Sequence, residues 1–247
     1  MPRSPGRIFA DGVVGSADAL VAALRAPHID HDVAESLTHP FHSYPARLHP
    51  ATARVLVELV APGAGDAPIV DPFCGSGTSL VEARAAGVRA IGVDLNPLAV
   101  LVARAKTWTA PARRRKDLHT IGHEITGLAL AAGKAARRSG AAPAAMRAPA
   151  GFDPNARNRR LASWFAPHVR RELELIAGQL DQLRPRDPEL ADVLTACLSA
   201  ILYKVSSRTS DTDPTWIERN IPRGEVASRS AAEIGRASCR ERVCYVV

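Results

Sequence analysis

Short apolar runs bounded by turn residues alternate with amphipathic stretches up to Lys106, whereas the chain beyond it follows the helical period alone. After His49-Pro50, the apolar positions Val55, Leu56, Leu59 and Val60 predict a helix. Ala67 to Val70 predicts a buried strand, Thr78 opens a helix through Ser79-Leu80-Val81-Glu82-Ala83, and Ala90 to Val93 predicts a second strand ending on Asp94. Asn96 and Pro97 then start a helix over Leu98 to Lys106, the one as cap and the other as first-turn residue. Further on, Leu118, Ile121, Ile125 and Leu128 mark an amphipathic helix closed by Arg137-Arg138-Ser139-Gly140. An Ala- and Pro-rich loop, Ala141 to Pro154, separates it from two more apolar stripes. One runs through Val169, Leu173, Ile176, Leu180 and Leu183; the other runs from Leu190 through Leu194, Cys197 and Ile201 to Val205. They predict a helical hairpin, with Trp164-Phe165 as a plug in its core.

The turn between the first strand and its helix, Asp71-Pro72-Phe73-Cys74-Gly75-Ser76-Gly77-Thr78, carries the chemistry. Its two glycines leave room for a ligand against the backbone, and the unpaired amides and dipole of the following helix favour an anionic group. Asp94, at the tip of the second strand, is placed to accept hydrogen bonds from two ribose hydroxyls. These features together describe a site for a nucleoside with an anionic tail. A dinucleotide fingerprint requires a small residue where this chain has Leu80, and a Walker loop requires a lysine that Gly77-Thr78 does not supply.

The turn, followed by Gly92-Val93-Asp94-Leu95-Asn96-Pro97-Leu98-Ala99, resembles the S-adenosylmethionine site of the DNA methyltransferases that modify the exocyclic amine of adenine or cytosine. The resemblance implies a Rossmann-like α/β methyltransferase fold, with an incomplete sheet and a helical insertion. It also implies that Asp71, Gly75 and Gly77 line the methionine part of the cofactor, that Ser76 and Thr78 bond its carboxylate, that Phe73 packs against it, and that Asp94, beside Asn96, takes the ribose. In the same family a segment similar to Tyr44-Pro45-Ala46-Arg47, here within His39 to Pro50, closes over the methionine end, where Arg47 is a carboxylate partner. Read alone, that segment is a proline-stiffened helix entry with a solvated arginine.

Amino methyltransferases also need a strand ending in Asp, Asn or Ser before Pro-Pro and an aromatic, which hold the target amine and stack on the flipped base. No such tetrapeptide occurs in the chain, so no catalytic residue is assigned. Asp213-Pro214-Thr215-Trp216 is the nearest imitation. It has a threonine for the second proline and follows a polar loop, Ser206 to Thr212, rather than a strand.

From Glu233 the chain, through Ile234-Gly235-Arg236-Ala237-Ser238-Cys239-Arg240, resembles the translation of a sequencing-adapter oligonucleotide, which marks 233–247 as an assembly artefact to be set aside. The expected organisation is an N-terminal extension over 1–38, a cofactor-binding part over 39–110, and a mainly helical, target-binding region over 111–232. On this reading the chain is a C-terminally truncated DNA methyltransferase, inactive by itself, and its open sheet edge and bare apolar faces lower its solubility. RNA as substrate, and a cofactor-binding subunit completed by a partner chain, are the alternatives. An RNA-binding module upstream would favour the RNA reading, and the thirty-eight residues before His39 disfavour it.

The formal charge of +7 falls to +5 without the tail from Ile234, which carries three arginines and one acid. The remainder is basic, as phosphate contacts require, and Arg157, Arg159 and Arg160 form a candidate basic turn for them. Four cysteines, two of them in the tail, give neither a disulfide framework nor a metal spacing. The N-terminus lacks the apolar core of a secretory signal, and no stretch reaches membrane-spanning length. The expectation is a soluble cytoplasmic protein that acts on DNA and needs neither metal nor membrane; a restriction endonuclease partner is not inferable.

Overall fold

Proline in the first turn and a histidine cap define the first long helix of the cofactor region. The imidazole Nδ1 of His49 accepts from the Ala51 amide at 3.2 Å, and Pro50 needs no amide partner there. The computed structural model describes residues 14–30, 32–42, 44–45, 47–139, 164–207 and 221–238. It divides into two compact units, whose described parts are 14–109 and 110–238.

In the first unit, α1 (Val14–Arg25) packs against α2 (Pro50–Ala64). Strand β1 (Ile69–Asp71), helix α3 (Thr78–Ala85), strand β2 (Ala90–Gly92) and helix α4 (Pro97–Thr107) follow. β1 and β2 pair in parallel, Ile69 opposite Ala90, Val70 opposite Ile91 and Asp71 opposite Gly92. The predicted strand–turn–helix–strand–helix order is therefore present, with strand ends displaced by one or two residues. α3 lies against both strands, and α2 against α3 and β1.

The α2 stripe falls elsewhere than predicted. Ala51, Ala53 and Val57 are buried, whereas Leu59 and Val60 are exposed, because small side chains let neighbouring helices approach α2 closely. The stretch before His39 packs on α2: Ala26 and Val33 form one apolar cluster with Ala51, and Val55 packs on it. The other face of the sheet is bare. Register partners Val70 and Ile91 point the same way, and both are exposed, as is Val93 two residues on.

The second unit contains α5 (Ala112–Ser139), α6 (Pro167–Leu183), α7 (Pro188–Ile201) and α8 (Glu225–Ser238). α6 and α7 form the expected hairpin, with Val169, Leu173, Ile176, Leu180, Leu190, Leu194 and Ile201 buried. Phe165 is buried beside them, as predicted for the aromatic plug. Leu118 and Ile125 of α5 are buried, but Leu128 is exposed and Ala129 takes the inward position.

α8 runs through the domain boundary expected at 233. Its spacing Val226, Ala227, Ser230, Glu233, Ile234 continues one buried stripe. Ile234 fits against α5 because Gly122 has no side chain: a Cβ there would lie 2.7 Å from Ile234 Cγ2. Residues 239–247, the loop Ala141 to Pro154, the basic turn around Arg157 and the Asp213 to Trp216 segment lie outside the described residues. Among the described residues, no helix is long and apolar enough to cross a membrane.

Candidate functional site

The two strands end side by side, and their terminal carboxylates hold the glycine turn between them. Asp94 Oδ2 accepts from the Gly75 amide at 2.9 Å, and Oδ1 accepts from the Asn96 amide at 2.8 Å. Asp71 Oδ1 accepts from the Phe73 amide at 3.0 Å, while Oδ2 accepts from the Ser79 hydroxyl. The Cys74 amide reaches back to the Val93 carbonyl at 3.0 Å, which ties the turn to the second strand. Each carboxylate retains acceptor capacity, since an ionised carboxylate offers about four lone-pair directions.

Gly75 and Gly77 both adopt positive φ, at 50° and 80°. Their reasons differ. A Cβ at Gly75 would meet nothing within 4 Å, so the backbone is open on the side where a ligand would lie. A Cβ at Gly77 would lie 2.9 Å from the Ala103 Cβ and 3.0 Å from its Cα, so Gly77 lets α4 pack behind the turn. Gly77 also stands at the N-cap of α3 and offers no side-chain cap, which leaves the positive end of that helix to an anion.

Phe73 projects from the turn at 87% exposure, with Leu95 exposed on the adjoining loop. Ser76 and Thr78 are both buried. Lys106, in the last turn of α4 and at 0% exposure, donates to Ser76 Oγ at 3.3 Å. Its carbonyl accepts from Thr38 Oγ1 at 2.9 Å. Burial pushes the Cys74 thiol up, and the Asp71 and Asp94 charges push it further, which keeps the sulfur protonated and poorly nucleophilic.

The upstream segment meets the turn at two points. Asn96, which caps α4 by accepting from the Leu98 amide at 3.0 Å, donates through Nδ2 to the Tyr44 hydroxyl at 2.9 Å. Arg47 donates to the His39 carbonyl at 3.0 Å, and Pro45 lies exposed between them in sequence. Behind the turn, His39 and Glu82, 1% and 2% exposed, share a 2.6 Å hydrogen bond in which the imidazole donates. Arg54 Nε donates to the other Glu82 oxygen at 3.1 Å.

Of the upstream residues, Tyr44 thus joins the turn region through Asn96, whereas Arg47 is held at His39. Sequence reading missed His39, Glu82, Ser79 and Lys106. The signal for Glu82 and Lys106 was a charged residue on the apolar face of a short helix, visible as an interruption of the stripe. Among the described residues no cluster of His, Cys, Asp and Glu forms a metal site.

Residues 40–140 match the family UPF0020, described as RMKL-like, methyltransferase domain. The chain is 37% identical over 93 residues to Type II methyltransferase M.MvaI of Kocuria varians, and 35% identical over 80 residues to Type II methyltransferase M.MjaII of Methanocaldococcus jannaschii. It is 47% identical over 53 residues to a tRNA (guanine(10)-N2)-dimethyltransferase of Methanothermobacter thermautotrophicus. These matches take in 37%, 32% and 22% of this chain. They span only 20%, 15% and 16% of the relatives themselves. No solved structure matches significantly. The resemblance read from the motifs is borne out: the matched segment is of methyltransferase type, and type II methyltransferases are among its relatives.

Proposed function

We propose that the first unit is the S-adenosylmethionine half of a Rossmann-like N-methyltransferase whose substrate is an exocyclic amine of adenine or cytosine in DNA. The observation that carries the reading is the pairing of Asp94 and Asp71 at adjacent strand ends around an open Gly75. The residues fit the cofactor: a carboxylate for the ribose, an uncapped helix end for the amino-acid tail and an exposed aromatic for the apolar part. S-adenosylmethionine, when bound, supplies an electrophilic methyl group on its sulfonium.

This chain's own residues bind and orient. Asp94 uses its remaining lone pairs for ribose hydroxyls while its amide partners keep it rigid. The α3 N-terminus favours the carboxylate of the amino-acid tail, with the buried Ser76–Lys106 pair adding positive charge behind it. Phe73 covers the apolar part, and Tyr44, Pro45 and Arg47 approach the methionine end. Cys74 takes no part as nucleophile, consistent with direct transfer to an amine. The residues that hold the target amine are not in this chain, so by itself it binds the donor and transfers nothing.

Two other readings each rest on an observation. The relative that acts on tRNA favours an RNA base as acceptor. The bare sheet face at Val70, Ile91 and Val93 favours a subunit whose sheet is completed by a second polypeptide, since parallel sheets are ordinarily covered on both faces. Long-read sequencing of the source locus beyond the Ala232 codon, followed by methylation assays of the gene product on DNA and tRNA, separates the three. A frame continuing into a strand, Pro-Pro and an aromatic, with label entering DNA, supports the proposal. Label entering only tRNA overturns the DNA assignment. The same tail recovered from an independent assembly overturns truncation in favour of a partner.

A further inference from the structure

The end of β2 opposite Asp94 opens on a second concave surface. A cleft of about 470 Å³ lies between α3, the start of β2 and the end of α4, lined by Leu80, Arg84, Val88, Arg89, Ala90 and Thr107. All of these belong to the first unit, and none to the glycine turn. The backbone that carries the two arginines is fixed. Gly87, in left-handed backbone at φ 72°, turns the chain out of α3, its amide on the Arg84 carbonyl at 3.0 Å and the Val88 amide on the Ala83 carbonyl at 2.8 Å. The Arg89 carbonyl then accepts from the Ile69 amide of β1 at 2.8 Å.

Charge in the cleft is of one sign. Arg84 Nη2 donates to the Thr109 hydroxyl, and Arg89 Nη1 donates to the Asp66 carbonyl at 3.5 Å. Among the described residues neither guanidinium pairs with a carboxylate, and no acid lines the cleft. A guanidinium carries five N–H donors in a planar fork, so most donors of both arginines remain available. Arg84 stands in the last turn of α3, where its charge also offsets the negative helix end; Arg89 lies on no helix and has no such use. Leu80, Val88 and Ala90 supply an apolar wall. Thr107 spends its hydroxyl proton on the Ala103 carbonyl at 2.8 Å and so presents only lone pairs to a ligand. Two cations favour a dianion, the wall favours an apolar body, and the lone pairs favour a ligand hydroxyl. The volume falls within the range of about 300–1,000 Å³ of small-molecule sites, well beyond a bare anion.

We propose that this cleft is a second ligand site, for a nucleoside carrying a phosphate monoester: Arg84 and Arg89 hold the phosphate, the apolar wall packs on the base, and Thr107 accepts from a sugar hydroxyl. The inference is independent of the reading of the glycine turn. A free mononucleotide and the 5′-phosphorylated end of a nucleic-acid strand present the same chemistry, and the probes separate them.

The test uses the full 247-residue chain at pH 8, where a phosphate monoester is dianionic. Calorimetric affinities are measured for adenosine 5′-monophosphate, adenosine, inorganic phosphate, and a thymidine hexanucleotide with and without a 5′-phosphate. The proteins are the parent chain, Arg84→Ala, Arg89→Ala and Asp94→Ala. The arginines are exposed, so their variants keep the fold, which circular dichroism checks. The expected result is saturable binding of a phosphorylated probe that each arginine variant weakens by about tenfold or more, the scale of a charge-assisted hydrogen bond. Asp94→Ala leaves that binding unchanged, and adenosine binds more weakly than its monophosphate.

Preference for the monophosphate identifies a free nucleotide, and preference for the phosphorylated hexanucleotide identifies a strand end; both uphold the proposal. Four results overturn it. They are absence of saturable binding by any phosphorylated probe, full affinity in Arg89→Ala, inorganic phosphate binding as tightly as the monophosphate, and loss in Asp94→Ala with retention in Arg89→Ala, which would put the ligand at the glycine turn.

Discussion

The amide of Gly75 and the carboxylate of Asp94, 19 residues apart in sequence, meet at 2.9 Å, which makes the acid proposed to take the ribose part of the turn proposed to hold the rest of the cofactor. Asp94 is thereby oriented before any ligand arrives, and less of the binding energy is spent on ordering it.

Gly77→Ala is expected to destabilise the first unit by about 3 kcal/mol. The substitution forces a side chain into left-handed backbone and against Ala103, where backbone as well as side chain blocks it. Denaturant unfolding measures the loss. Gly75→Ala, with the same sign of φ but open space around it, should lose less stability while still impairing cofactor binding.

Cys74 should stay unreactive near neutral pH. Burial first, and the Asp71 and Asp94 charges after it, disfavour the thiolate. Alkylation followed by peptide mass spectrometry should label Cys74 more slowly in the folded chain than in denaturant. Equal rates would place the thiol in solvent and contradict the described turn.

The strand–turn–helix–strand order, the α4 cap at Asn96 and the hairpin of α6 and α7 were legible in the sequence because each depends on local chemistry: period, cap and turn residues. Leu59, Val60 and Leu128 were misplaced for the opposite reason, since the face a helix buries depends on which neighbours reach it. The pairing of Glu82 with His39 was illegible because a buried hydrogen bond between positions 43 residues apart leaves no periodic trace, although Glu82 alone shows as a charge on an apolar face. The boundary at 233 rested on the composition of the tail, whereas the α8 stripe through Ile234 follows its helical spacing.

Acid should weaken the second unit in part through Asp187. Arg114 holds the Asp187 carboxyl below its usual range by a two-pronged contact at 2.6 and 2.9 Å, and the Leu190 amide bonds the same carboxyl at the start of α7. A depressed folded pKa means that the unfolded chain takes up the proton first. The contribution is complete at neutral pH, begins to fall as the pH enters the ordinary aspartate range near about 4, and is gone below the folded value. Asp187→Asn should cost about 1 kcal/mol at neutral pH and flatten that acid dependence, as read by denaturant titrations at several pH values.

The bare face at Val70, Ile91 and Val93 should bind an apolar dye and promote self-association. Val70→Thr with Ile91→Thr should reduce both, measured by dye fluorescence and light scattering, without loss of helical circular dichroism.

The most direct test of the S-adenosylmethionine assignment is a calorimetric titration of the folded chain with S-adenosylmethionine, repeated on Asp94→Ala. The account predicts saturable one-to-one binding that Asp94→Ala weakens by about tenfold to a hundredfold, the scale of charge-assisted hydrogen bonds to the ribose. Absence of binding by the folded chain, or equal binding by both proteins, would contradict it.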